Sequence, residues 1–249
     1  MDAETTHIQT YPVHGEEHMA ELIVALDVST AAEAEAVVTR LGPAVGFYKI
    51  GLELFSSTGP DVVARVKGQG KRVFLDLKLH DIPRTVERAV KSCAGLGVDL
   101  LTIHSSGGRA MIHAAAEAAA AFGAAAPRIV AVTCLTSLDQ QDLTDLGIGR
   151  LMAEQVVALG KLAIGAGAHG IVCSPQEVAA MRRLLGPTAL LVTPGVRPAG
   201  ASVGDQKRVA TPAQAVRDGA THLVVGRPIL EAPDPRAAAA FILVEMCGA

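Results

Sequence analysis

The run "VFLDLKLHDI" at residues 73–82 places Asp76, Lys78 and Asp81 in and just beyond a stretch that otherwise has the composition of a buried β-strand. Burying an unpaired charge is costly, so charges at such a position need partners or a task. Alternation along a strand puts Val73, Leu75 and Leu77 on one face and Phe74, Asp76 and Lys78 on the other. Two earlier strand-like runs repeat the arrangement: Asp27 shares a face with Ile23 and Ala25, and Lys49 shares a face with Phe47. Carboxylates and ammonium groups held rigidly together can stabilise charge that develops on a substrate and can deliver a proton. Taken singly, each such residue reads equally well as a strand-end charge that reaches water or joins a structural ion pair.

A second set of residues lies near the other end of the chain. "TPGVRP" at 193–198 and "VVGRPI" at 224–229 each follow a strand-like run and each offer a glycine and an arginine. Glycine lets backbone approach a ligand closely, and an arginine can fork onto phosphate oxygens. One such glycine and arginine marks an ordinary turn; two sets in neighbouring loops point to a phosphorylated small molecule. Between them, "AGASVGDQKRVA" at 199–210 has the composition of a loop that closes over a ligand, and equally of an ordinary surface loop.

The elements that must position these residues alternate along the chain. Eight strand candidates occur: "ELIVALD" from 21, "VGFYKI" from 45, "KRVFLDLK" from 71, "VDLLTIH" from 98, "RIVAVTCL" from 128, "HGIVC" from 169, "ALLVTPGV" from 189 and "THLVVG" from 221. Ala-rich segments with helical spacing separate them. Thr30 with Glu33 makes a capping box, and "SPQEV" and "TPAQAV" each set Ser or Thr before a proline at a helix start. Eight βα units close a (β/α)₈ TIM barrel, an α/β fold. No glycine-rich dinucleotide turn follows the first strand, which weighs against an open doubly wound sheet. The expected organisation is a single barrel domain, residues 21–249, behind an N-terminal extension, residues 1–20. Asp27, Lys49, Asp76 and Lys78 would then meet at the C-terminal mouth, where barrel enzymes build their sites, and the two loops bearing glycine and arginine would follow strands seven and eight, where barrels hold phosphate.

Half of the 249 residues are hydrophobic, 19% are charged and the formal net charge is −3, without runs of Lys or Arg. This composition argues against nucleic acid and against an anionic membrane surface as partners. No stretch reaches the ~18–20 apolar residues of a membrane span. Cys93, Cys134, Cys173 and Cys247 lie too far apart in sequence for a zinc or redox pair, and the first twenty residues lack a secretory pattern, so a cytoplasmic protein with buried thiols is expected.

With these residues placed, residues 21–247 resemble the orotidine 5′-phosphate decarboxylases, the bacterial branch in particular. The motifs that carry the resemblance are "ALD" at 25, "YKIG" at 48, "FLDLKLHDIP" at 74, "TIHSSGG" at 102, "TCLTS" at 133, "VTPGVRP" at 192 and "VVGRPI" at 224. The resemblance implies a catalytic Lys-Asp-Lys-Asp array of Lys49, Asp76, Lys78 and Asp81, with Lys78 donating a proton to C6 of the pyrimidine. It implies a homodimer in which Asp81 reaches the partner's site. Asp27 and Lys49 would hold the ribose hydroxyls, Thr136 would contact the pyrimidine, and Arg197, Gly226 and Arg227 would hold the 5′-phosphate. Thr85, Pro194 and Gln206 complete the implied substrate-binding set, Gln206 on the closing loop. "IPRTV" departs from the usual Ile-Pro-Asn-Thr and puts Arg84 beside the site.

The implied substrate is a nucleotide, converted from orotidine 5′-monophosphate to uridine 5′-monophosphate and carbon dioxide on the route of pyrimidine synthesis. Loss of carbon dioxide from C6 leaves carbanion character with no adjacent π-system to accept it. The chain offers no dinucleotide or pyridoxal-type motif and no metal-ligand spacing, so no cofactor and no metal are expected, and fixed charges must do the work. His80 and His104 are expected to be structural. Two alternatives remain: a metal-dependent barrel enzyme acting on a phosphosugar, and a catalytically silent barrel that binds a nucleotide phosphate.

Overall fold

The protein is described here from a computed structural model, which covers residues 11–13, 18–198 and 210–248. Its strands are β1 (Tyr11–Val13), β2 (His18–Ala25), β3 (Phe47–Gly51), β4 (Arg72–Leu79), β5 (Leu100–His104), β6 (Arg128–Val132), β7 (Gly170–Val172), β8 (Leu190–Pro194) and β9 (His222–Val225). Strands β2 to β9 pair in chain order, all parallel, and β9 pairs back onto β2 through Glu21–His222 to Val24–Val225, which closes the barrel. This is the (β/α)₈ architecture expected from the eight alternating units. Most strands stop short of the sequence runs that announce them, and Asp27, two residues past the end of β2, lines the mouth. Ahead of the barrel, β1 pairs antiparallel with His18–Ala20, so part of the N-terminal extension joins the sheet.

Side-chain alternation sorts the core into two layers. Inside the barrel, Ile23, Ala25, Phe47, Phe74, Leu100, Val130, Val192 and Val224 form one cluster. Between barrel and helices, their sequence neighbours, among them Val24, Tyr48, Ile50, Val73 and Leu75, form the other. Each large side chain buried in this way contributes about 1.5–3 kcal/mol. Where strands approach closely, size decides: a Cβ on Gly170 in β7 would lie 2.2 Å from the Leu190 carbonyl oxygen, so only glycine fits.

The helices follow their local signals. Thr30 caps Ala31–Leu41, its hydroxyl accepting from the Glu33 amide, while the Glu33 carboxylate accepts from the Thr30 amide. Thr211 caps Pro212–Arg217, with the Gln214 amide donating to its hydroxyl. "SPQEV" is tighter than expected: a 3₁₀ turn, Pro175–Glu177, precedes the helix Val178–Leu185. The alanine-rich tract extends the helix Gly108–Ala120, whose small side chains pack against Pro83–Ala94 and the sheet.

One strand departs from simple alternation. In β4, Leu75 pairs with Leu101 and Leu79 with Ile103, so Asp76, Leu77 and Lys78 stand opposite Thr102 alone. A bulge of this kind bends the strand and re-aims its side chains. Lys78 therefore owes its direction to the bulge and not to the regular pleat that its spacing from Phe74 predicts.

Candidate active site

The inner positions of the barrel, continued one step toward the C-terminal mouth, are Asp27, Lys49, Asp76, Pro194 and Gly226. All five line a cavity of about 240 Å³ together with Lys78, Thr136, Gly195, Arg197 and Arg227. Nine of the twelve residues singled out from the sequence are thus brought to one place by strands far apart in the chain.

The charges form a connected ladder. Lys49 Nζ lies 3.3 Å from Asp27 Oδ1 and 3.7 Å from Asp76 Oδ2, and Lys78 Nζ lies 2.8 Å from the same Asp76 oxygen. The other Asp76 oxygen accepts from Thr102 Oγ1 at 3.0 Å. Asp76 is only 8% exposed, so its charge is tolerable because two ammonium groups and a hydroxyl face it. Removing any one of these partners leaves a buried charge undercompensated.

The backbone at Lys78 is unusual. Its φ of 51° is the one positive value outside glycine among the described residues. The left-handed conformation costs a side-chain-bearing residue about 1–2 kcal/mol, and surrounding contacts must hold it. The Lys78 amide, out of register with the β5 ladder, donates instead to Thr102 Oγ1 at 2.8 Å. Thr102 is fully buried and was not singled out from the sequence; the signal was a hydroxyl at an inward position of an otherwise aliphatic strand, in "LLTIH".

Two histidines sit beside this turn. The rings of His80 and His104 lie 5.3 Å apart, tilted by 39°. Burial pushes the His104 imidazole below its ordinary value, and the neighbouring His80 and Lys78 add to the effect while Asp76 opposes it. His104 is accordingly neutral near pH 7 and adds no charge to the ladder.

Gly195 and Arg197 follow β8, and Gly226 and Arg227 follow β9, and all four line the cavity. Gly226 leaves room for the Asp27 carboxylate: a Cβ there would lie 2.7 Å from Asp27 Oδ2 and displace it. Arg197 is anchored through its backbone, its amide donating to the Ala210 carbonyl at 3.0 Å, and Val196 bridges to Ala210. Val196 and Arg197 are thereby held against Ala210 beside the cavity. Gln206 lies outside the described residues.

Asp81 and Thr85 are not brought into the cavity of their own chain. Asp81 is exposed, with Oδ1 accepting from the Ile82 amide at 2.6 Å, and Thr85 is exposed in the first turn of Pro83–Ala94. Arg84 is exposed between them, and Ile82 beside them is 68% exposed, a large apolar side chain in water. Among the described residues no group of three or more His, Cys, Asp or Glu side chains is placed to hold a metal ion, and no helix is long and apolar enough to cross a membrane.

Fold and site together define an enzyme-type (β/α)₈ barrel with a charged ladder and two loops at its C-terminal mouth that each bear a glycine and an arginine. The chain belongs to the orotidine 5′-phosphate decarboxylase / HUMPS family, whose model matches residues 20–242. It is 52% identical over 231 residues to the orotidine 5′-phosphate decarboxylase of Moorella thermoacetica, covering 91% of this chain and 92% of that one. To the enzyme of the same name from Anaeromyxobacter sp. strain K it is 54% identical over 221 residues, 89% of this chain and 96% of that one. Among solved structures, that of orotidine 5′-phosphate decarboxylase from Lactobacillus acidophilus superposes with a TM-score of 0.82 at 41% identity, covering 91% of this chain and 99% of that one.

Proposed function

We propose that this protein is an orotidine 5′-phosphate decarboxylase, a carboxy-lyase that converts orotidine 5′-monophosphate to uridine 5′-monophosphate and carbon dioxide in pyrimidine synthesis, without a cofactor. The observation that carries the reading is the alternating ladder Asp27, Lys49, Asp76, Lys78 on the wall of one cavity. Lys78 is the proton donor: its ammonium stabilises negative charge developing at C6 as the carboxylate leaves, then protonates that carbon. Asp76 holds Lys78 in place and meets the departing carboxylate. Because the ladder is assembled before substrate arrives, little reorganisation is needed as charge moves.

Asp27 and Lys49 hold the ribose hydroxyls and Thr136 the pyrimidine, while Pro194, Arg197, Gly226 and Arg227 surround the 5′-phosphate, far from the reacting carbon. Gln206, on the segment between Val196 and Ala210, reaches the ligand as that segment closes. Phosphate binding thereby contributes to the chemical step at a distance. The catalytic domain is residues 21–249, with residues 1–20 an extension outside the chemistry, and four cysteines outside any disulfide suit a cytoplasmic setting.

The working unit in this reading is a homodimer. Asp81 and Thr85 act in the partner's site, which accounts for a carboxylate and a large apolar side chain, Ile82, exposed together on the rim.

The test is an ultraviolet assay of orotidine 5′-monophosphate in excess chelator. Wild-type protein should turn over, and Lys78→Ala should lose at least about 10⁴-fold in kcat. Mixing Lys78→Ala with Asp81→Ala subunits should then restore about a quarter of wild-type activity, since half the dimers are mixed and each holds one intact site. Chelator-sensitive turnover sinks the decarboxylase reading, and absence of rescue sinks the shared site.

A further inference from the structure

We infer that Thr102 is a positioning residue for the proton-donating lysine, acting through a single hydroxyl that ties the Lys78 backbone to the Asp76 carboxylate. The inference rests on the decarboxylase reading for its kinetic consequence and on geometry alone for its structural one.

Thr102 is the one residue of β5 opposite the three bulged residues of β4. Its hydroxyl accepts the Lys78 amide at 2.8 Å and donates to Asp76 Oδ1 at 3.0 Å. The direction of both bonds is forced. An amide can only donate and an ionised carboxylate can only accept, so the hydroxyl hydrogen must point to Asp76 and an oxygen lone pair to Lys78. No other hydroxyl rotamer satisfies both neighbours. The group is fully buried, so water does not compete for either bond.

This placement fixes two coordinates that matter for proton delivery. The amide bond holds Lys78 at its φ of 51°, a conformation that an ordinary lysine leaves when released. The second bond occupies Asp76 Oδ1 and leaves Oδ2 to Lys49 and Lys78. The Lys78 ammonium is thus aimed from both ends, through its backbone and through its counter-ion. The His80 and His104 rings meet beside this turn, their centroids 5.3 Å apart and tilted by 39°. Small displacements of a reacting group are expensive in rate, so loss of this tie falls on the chemical step more than on substrate binding.

Thr102→Val keeps the shape and β-branching of the residue and removes only the hydroxyl; Thr102→Ser keeps the hydroxyl. In steady-state assays Thr102→Val should lower kcat by about 100-fold or more with KM within about threefold, and Thr102→Ser should recover kcat to within about fivefold of wild type. Hydrogen exchange of the Lys78 amide gives a reading that needs no turnover: protection should fall at least about tenfold in Thr102→Val and persist in Thr102→Ser, with the Phe74 amide unchanged in both. A valine variant whose kcat stays within about fivefold of wild type, or whose Lys78 amide stays protected, overturns the inference. If the wild-type protein does not decarboxylate orotidine 5′-monophosphate, the functional reading fails and amide exchange alone decides the positioning role. If Thr102→Val does not fold, Thr102→Ala carries the same expectations.

Discussion

The N-terminal mouth of the barrel encloses a cavity of about 850 Å³, and the C-terminal mouth one of about 240 Å³. Both are lined by acidic and basic side chains, and the larger is not the one that carries the chemistry. At the N-terminal mouth Arg72 forks onto both oxygens of Glu21 and lies over the Phe47 ring, 4.4 Å from its centroid. Lys67 meets Asp99 at 3.1 Å, and the same Asp99 oxygen also accepts the Val73 amide at 2.8 Å. These are closed pairs that tie neighbouring strands and loops together. At the C-terminal mouth charges are shared: Lys49 lies between two carboxylates, Asp76 between two ammonium groups, and the strand bearing Lys78 is bulged and strained. Paired charge at one end holds the barrel shut, and shared charge at the other leaves a field aimed at a ligand.

If that division holds, substitutions at the two ends should separate kinetics from stability. Outside the Lys-Asp ladder, the larger effect is expected from Arg227→Ala at the C-terminal mouth. It should lower kcat/KM for orotidine 5′-monophosphate by at least about 100-fold, or ~2.7 kcal/mol, while leaving the denaturant midpoint unchanged. A loss under about fivefold would remove Arg227 from the phosphate site.

A smaller effect, confined to stability, is expected at the N-terminal mouth from His222. Burial pushes its imidazole down to about 4; Glu21 opposes the shift and Arg72 and Arg128 add to it. A group whose folded value lies below its unfolded one binds more protons when unfolded. Its contribution is therefore present above the unfolded value of about 6.5 and is lost as pH falls toward 4. Between pH 7 and pH 5 wild-type protein should lose about 2 kcal/mol more unfolding free energy than His222→Gln, with kcat/KM of the two alike at pH 7. Equal losses in guanidinium titrations at the two pH values would show that His222 is not the acid-sensitive element of this mouth.

Much of this molecule was legible in the sequence because strand alternation is a local rule. Ile23, Ala25 and Asp27 point the same way whatever the rest of the chain does, and so do Phe47 with Lys49 and Phe74 with Asp76. Capping at Thr30 and Thr211 was equally local. The bulge at Lys78 was not legible: neither glycine nor asparagine stands there to announce a left-handed residue, and the slip of β4 against β5 exists only once the two strands pair. Thr102 was hidden for the same reason, since a threonine in a strand is an ordinary β-branched residue until something opposite it needs a hydroxyl.

The sequence by itself determined the order of the βα units, which face of each strand is apolar, and which charged side chains stand at the ends of the inward faces. These follow from residue type and a period of two, and neither depends on a distant partner. Only the tertiary structure decided which charge meets which, that Asp76 is the shared member, and that Asp81 and Thr85 stay outside their own chain's cavity. Closure of β9 onto β2 sets Gly226 against Asp27, and the bulge of β4 against β5 turns Lys78 onto Asp76. Contacts between residues so far apart in sequence have no local signal, because they are set by strand register, which hydrogen bonding and packing around the whole barrel fix together.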